Sequence, residues 1–198
     1  MGLVQCPQRP RNAGKLKELS EVLNPLGFEL IPQGEFNLDS ADETGLSFVE
    51  NALLKARHAA QETGLGALAD DSGLCVDCLG GAPGIYSARF GDGTDHGNLE
   101  ALLATLAQHG ESPWPAHYHC TLVLVKHAED PDPIIAQGRW QGEIIATPKG
   151  DGGFGYDPIF YCRELEVTAA ELPKDQKNRI SHRGIAAKAL HDQLQSAL

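Results

Sequence analysis

Residues 67 to 73 read Ala-Leu-Ala-Asp-Asp-Ser-Gly, an apolar run that meets two adjacent carboxylates, Asp70 and Asp71. A buried strand delivering two acids to its exposed end suits a divalent cation or an activated water. The same four residues, Asp-Asp-Ser-Gly, are also ordinary turn composition. Their meaning therefore depends on the other polar residues that fall at element ends. Asn12 and Lys15 flank the start of a first helical pattern, where free N–H groups and the positive end of the helix dipole favour phosphate. Glu43 precedes a second helix and Lys55 lies within it. Lys177 and Ser181-His182-Arg183-Gly184 form a basic cluster in a polar turn before the last helix. Each is also an ordinary surface or helix-end residue when taken singly.

Together they have one chemical sense. Carboxylates for magnesium, with several cations, are what a polyphosphate needs, because magnesium takes few protein ligands and shares the rest with phosphate oxygens and water. A nucleoside triphosphate is the natural candidate. Phe154-Gly155-Tyr156-Asp157 adds rings beside a glycine, and an aromatic face can stack a base. Two core aromatics in a loop are the alternative.

The elements that must position these groups alternate between helical and extended patterns. Lys15 to Leu23 has helical apolar spacing stopped by Asn24-Pro25, and Phe28 to Ile31 follows as a strand. Ser47 and Glu50 have capping-box spacing for a helix that runs to about Thr63 before Gly64. That helix leads into the strand ending at Asp70-Asp71, after which Leu74 to Leu79 would pair back as a hairpin. Gly80 to Gly84 then forces a loop with unusual backbone angles. Asn98 to Ala107 is a further helix, and His117 to Lys126 and Ile134 to Ile145 are two long strands. Pro148 to Gly155 is Gly-rich and expected to be mobile without a ligand. Ile180 to Leu198 closes the chain as one helix.

With 198 residues, 41% of them hydrophobic, the chain suits one compact domain, or two lobes sharing a core, over residues 1–198. A net charge of −11 argues against a non-specific nucleic-acid or anionic-membrane surface. No stretch is long and apolar enough to span a bilayer, and the first twenty residues lack the apolar core of a signal peptide, so a cytoplasmic protein is expected. Five cysteines, at 6, 75, 78, 120 and 162, point to reduced thiols. Neither Cys75-Val76-Asp77-Cys78 nor His117-Tyr118-His119-Cys120 has a second ligand pair at matching spacing, so both are expected to be structural.

Glu43-Thr44-Gly45 with Phe48 to Asn51, Lys55-Ala56, Ala69 to Leu74, Gly80 to Arg89, Gly152 to Pro158 and Ser181 to Gly184 occur in order from about residue 12 to the C-terminus. In this set the chain resembles the inosine triphosphate pyrophosphatase family. The resemblance implies an α/β fold, with a two-lobed mixed β-sheet flanked by helices and a nucleotide cleft between the lobes, in a homodimer. It implies magnesium-dependent hydrolysis of inosine, deoxyinosine and xanthosine triphosphates to monophosphate and pyrophosphate. Asp71 would be proton acceptor and metal ligand, Glu43 would share the metal, and Asp70 would lie beside them. Asn12, Lys15, Lys55 and Ser72 would face the phosphates. Phe154, Gly155, Tyr156, Asp157, Lys177, His182 and Arg183 would surround the base and sugar.

One segment departs from the family pattern. An apolar strand and a small-residue turn normally precede the lysine, whereas here Pro7, Arg9, Pro10 and Arg11 occupy that entry. Proline removes a ladder donor, so Pro7 and Pro10 suit a central strand poorly. Two other functions stay open: a pyrophosphatase for another altered nucleotide, such as a modified pyrimidine triphosphate, and a nucleotide-binding protein with little turnover.

Overall fold

A computed structural model describes residues 2–6, 19–20 and 23–197. The fold is mixed α/β. Seven strands form a sheet in the order β2-β1-β3-β4-β5-β6-β7, with β1 at Gly2–Cys6, β2 at Glu29–Pro32, β3 at Gly66–Val76, β4 at Trp114–Val125, β5 at Ile134–Ile144, β6 at Phe160–Cys162 and β7 at Val167–Thr168. Helices among the described residues include α1 (Phe48–Thr63), α2 (Asp95–Leu106), α3 (Lys174–Ile180) and α4 (His182–Ala197). The chain divides into two compact units: Met1–Asp71 with Cys120–Gly138 and Arg183–Leu198, and Ser72–His119 with Arg139–His182.

In the first unit β1 lies between β2 and β3 and is parallel to both, Leu3 pairing with Leu30 and Gly66. The strand expected to be spoiled by prolines is thus built from Gly2–Cys6. Pro7, Pro10 and Arg11 lie outside the described residues, as do Asn12, Lys15 and most of the first helical pattern. Successive strand residues point to opposite faces, and this unit buries both. Leu68, Cys120, Leu122 and Leu124 pack with Ala186, Ala187, Leu190 and Leu194 of α4, while Ala67, Ala69, Val123 and Val125 pack with Ala52, Ala56, Ala59 and Ala60 of α1. The α1 face is almost all alanine, so helix and strands approach closely.

Local sequence sets α1 as expected. The Ser47 side chain caps the helix by accepting from Glu50 N–H, the Glu50 carboxylate reaches back to Leu46 N–H at 3.0 Å, and Gly64 ends the helix with φ +68°.

The second unit has a single core of Leu74, Val76, Leu99, Leu102, Leu106, Trp114, Tyr118, Trp140, Ile159 and Phe160 with their neighbours. There β6 pairs antiparallel with β5 and with β7. Thr94 caps α2, accepting from Gly97 N–H at 2.9 Å, so this helix starts three residues earlier than its apolar pattern indicates.

Three expectations are corrected. The strand does not end at Asp70-Asp71: β3 runs on to Val76, and the acids lie mid-strand, 2% and 1% exposed. Consequently Leu74 to Leu79 is no hairpin; Leu74–Val76 completes β3, and Asp77–Leu79 is a 3-10 turn closed by Gly80 at φ +63°. The terminal helix begins at His182 rather than Ile180, because Ser181 adopts extended backbone (φ −68°, ψ 161°) and ends the separate short helix α3. His182 and Arg183 therefore open α4 rather than occupy a turn before it.

Pro148 to Gly155, expected to be mobile without a ligand, makes several contacts to the chain that follows it. Lys149 N–H donates to Pro158 O, the Thr168 hydroxyl donates to Lys149 O, and Gly152 N–H donates to Ala170 O. Cys75, Cys78, Cys120 and Cys162 are free thiols. Among the described residues no helix is long and apolar enough to cross a membrane.

Candidate active site

The alternation of β3 separates the two acids. Ala67 and Ala69 face α1, so Asp71 continues that face, while Asp70 shares the opposite face with Leu68. Lys55, one turn beyond Asn51 on α1, meets Asp71 there. Its ammonium donates to Asp71 Oδ1 at 3.0 Å and to Glu43 Oε1 at 2.9 Å. Lys55 is buried to 6% exposure, a position a lysine holds only when paired. Burial acts to lower its pKa, but the charges of Asp71, Asp70 and Glu43 outweigh burial and raise it, so the lysine stays cationic. Burial pushes Asp71 up to about 6 against the opposing pull of Lys55.

The sequence-predicted Glu43, Lys55 and Asp71 are thus assembled in one cluster. Its donor atoms are all carboxylate oxygens, the hard ligands that magnesium takes, whereas zinc prefers nitrogen and sulfur. Among the described residues no set of three or more His, Cys, Asp and Glu side chains is gathered for a metal. Two carboxylates suffice for magnesium when substrate phosphates and water supply the remaining positions.

A second cluster forms within the other unit. Asp157, 2% exposed, accepts from Phe154 N–H at 2.7 Å and pairs with the Lys177 ammonium. Lys177 also lies over the Phe154 ring, 4.9 Å from its centroid, and that ring is 53% exposed. Tyr156 turns inward instead, buried with its hydroxyl donating to Ser87 O at 2.8 Å. A Cβ at Gly153 would overlap the Asp157 carboxylate, and the positive φ of Gly153 and Gly155 gives the loop its course. Of Phe154 to Asp157, then, Phe154 is half exposed and Tyr156 belongs to the core.

His182 is buried and stacks on Tyr118, with ring centroids 4.8 Å apart and planes 14° from parallel. Tyr118 also directs its hydroxyl toward Asp157 Oδ1 at 3.4 Å, linking both parts of this cluster. Tyr118 lies between His117 and His119 in a motif with no catalytic spacing of its own. Strand alternation was the available signal, since it turns Tyr118 to the face opposite those histidines. His119 is itself buried, and burial, with the cations Arg139 and His117, pulls its pKa down to about 4.

The match to known proteins is extensive. Residues 10–193 match the model of the Ham1 family. The chain belongs to the Ham1 family. Among relatives of this Ham1-family chain, the dITP/XTP pyrophosphatase of Photorhabdus laumondii is 55% identical over 188 residues, covering 94% of this chain and 95% of that one. That of Escherichia coli O157:H7 is 54% identical, covering 93% and 95%. A HAM1 protein from Coxiella burnetii has a solved structure that superposes with a TM-score of 0.93 at 45% identity, covering 99% of each chain. The structure of the Staphylococcus aureus Ham1 protein gives 0.88 at 35% identity over the whole of both chains. The family resemblance seen in the motifs holds for the whole chain.

Proposed function

We propose that this Ham1-family chain is a nucleoside triphosphate pyrophosphatase that hydrolyses altered purine nucleoside triphosphates, ITP, dITP and XTP, to the monophosphate and pyrophosphate. The single observation that carries the chemistry is the buried Lys55 ammonium held between Glu43 and Asp71. The relatives' activity toward dITP and XTP supports the substrate class.

In this reading Asp71 and Glu43 would hold magnesium, which would neutralise triphosphate charge and make phosphorus a better electrophile. Asp71 orients a water and takes its proton. The water oxygen forms a bond to the α-phosphorus as the bond from that phosphorus to the bridging oxygen breaks, and pyrophosphate leaves with the electron pair. Lys55 stabilises the charge that accumulates on the phosphates, fixed in advance rather than recruited from solvent. Asp70, on the other face of β3, shapes the field at Lys55. Ser72 and the N-terminal Asn12 and Lys15 are assigned to the phosphates.

Phe154, Gly155, Asp157, Lys177, His182 and Arg183 are assigned to the base and sugar, whereas Tyr156 is a core residue. Phe154 stacks the base and Tyr156 fixes the loop that presents Phe154. Hypoxanthine and xanthine offer a 6-keto acceptor where adenine has an amino donor. Donors from His182, Arg183 or backbone N–H groups satisfy the first and are mispaired by the second. A site built on such donors can discriminate by about 10⁴ to 10⁵. A homodimer and a cytoplasmic location belong to the same reading, carried by the family resemblance, and light scattering tests the dimer.

Pyrophosphate release from ITP, dITP, XTP, GTP, ATP and a modified pyrimidine triphosphate tests the substrate class. The expected order puts the three altered purines far above GTP and ATP. Equal kcat/KM for ITP and GTP, or a preference for the pyrimidine, contradicts it.

A further inference from the structure

Asn51 is fully buried in the first turn of α1, at 0% exposure, yet its amide uses only one end. Its Oδ1 accepts from Gly45 N–H at 2.8 Å, whereas Nδ2 has no hydrogen-bond partner among the described residues. A buried amide with an idle nitrogen costs stability, so packing alone would favour a small apolar residue here. The oxygen is the part with a task. It ties the backbone two residues after Glu43 to the helix that carries Lys55 one turn further on. Gly45 is fitted to that tie: a Cβ there would lie 2.6 Å from Glu50 Cβ and 2.7 Å from Asn51 Oδ1, too close for either. Leu46 N–H adds a second fastening, to Glu50 Oε2 at 3.0 Å.

We propose that Asn51 is a positioning residue: its amide oxygen clamps Gly45 and so holds the Glu43 carboxylate at the Lys55 ammonium, in register to serve as a magnesium ligand. This rests on the reading of Glu43 as a metal ligand. A carboxylate on an irregular segment loses metal affinity when its supporting contact goes, and such supporting contacts are worth about 10- to 100-fold in affinity. Side chains already on rigid elements, Lys55 on α1 and Asp71 on β3, are unaffected. The loss is therefore in magnesium affinity rather than in the rate at saturating metal.

The test compares wild type, Asn51→Ala, Gly45→Ala, the double variant and Glu43→Gln. Two quantities are read: the magnesium concentration giving half-maximal ITP hydrolysis, and the magnesium-dependent rise in unfolding temperature with a non-hydrolysable ITP analogue. Each clamp variant should raise the half-saturating concentration about tenfold or more, keep kcat within about threefold at saturating magnesium, and shrink the magnesium-dependent rise. The double variant should be no worse than the worse single, because both remove one contact. If Glu43→Gln raises the magnesium requirement and the clamp variants stay within about twofold of wild type, the clamp is overturned and the metal reading stands. If Glu43→Gln leaves the magnesium requirement unchanged, the metal reading fails and the clamp fails with it. Should Asn51→Ala not fold, Gly45→Ala breaks the same contact from the loop side, and an unchanged magnesium requirement there overturns the proposal.

Discussion

Asp70 and Asp71 are adjacent in sequence and face opposite sides of the sheet, because both lie inside the continuous strand Gly66–Val76. Asp71 meets Lys55 at 3.0 Å on the α1 face, and Asp70 acts on that lysine through its charge from the other face. The two acids therefore have different tasks. Asp70→Asn should keep at least tenfold more kcat than Asp71→Asn at saturating magnesium, measured by steady-state pyrophosphate release. Equal losses would mean that the strand faces do not divide the work.

Lys55→Met should destabilise the fold as well as the reaction. Removing one partner of a buried ion pair strands the other, at about 3 to 5 kcal/mol for a fully buried pair. Here Glu43 is part-exposed and can rehydrate, so about 2 to 3 kcal/mol is expected from urea unfolding. An unchanged midpoint would show that Lys55 is not structurally engaged.

The exposed ring of Phe154 predicts a binding effect. Stacking of a base on an aromatic face is worth about 1 to 3 kcal/mol, so Phe154→Ala should raise KM for ITP by about 5- to 150-fold with a smaller change in kcat. Tyr156→Phe removes the bond to Ser87 O and should act on stability rather than on KM. A Tyr156→Phe defect confined to KM would reverse the two assignments.

Gly73 leaves no room for a side chain. A Cβ would overlap the Gly84 carbonyl oxygen and lie 2.7 Å from Ser87 Oγ, whose hydroxyl also accepts from Leu74 N–H at 2.8 Å. Gly73→Ala should cost about 1 to 3 kcal/mol, read as a lower denaturation midpoint. A neutral outcome would mean that the Gly84 loop yields easily.

His119 sets an acid limit. Its folded pKa is depressed to about 4 by burial and by neighbouring cations, while an unfolded histidine titrates near 6.5. Between those values the unfolded chain binds the proton and the folded chain does not. Stability is thus fully present above about pH 6.5 and falls as pH drops toward 4, by roughly 1 to 3 kcal/mol in total. His119→Gln should flatten the unfolding free energy between pH 7 and 5. The wild-type slope persisting in that variant would place the titrating group elsewhere.

How much of this was legible in the sequence followed from the range of the interactions. Ser47 and Glu50 reveal the start of α1 because capping acts within one turn, and Gly80 to Gly84 reveal a loop because positive φ belongs to single residues. Asp70-Asp71-Ser72-Gly73 misleads for the opposite reason. Its composition is that of a turn, and Lys55, sixteen residues earlier on a packed helix, supplies the charge that holds Asp71 buried mid-strand. Lys174 to Arg179 is polar throughout, so α3 has no apolar stripe to reveal it, and Ser181 ends it without a Gly or Pro to mark the start of α4. Glu43, Lys55 and Asp71 were readable as a set through the family motifs, whereas strand alternation gives only the face of Tyr118, and the partners of Tyr118 and Asn51 are set by the fold.

The most direct test of the central claim is pyrophosphate release from ITP with magnesium, comparing wild type with Asp71→Asn. The account predicts turnover by wild type and a loss of at least about 10² in kcat for the variant, whose fold is retained. Equal rates for the two proteins would contradict the assignment of Asp71 as the proton acceptor.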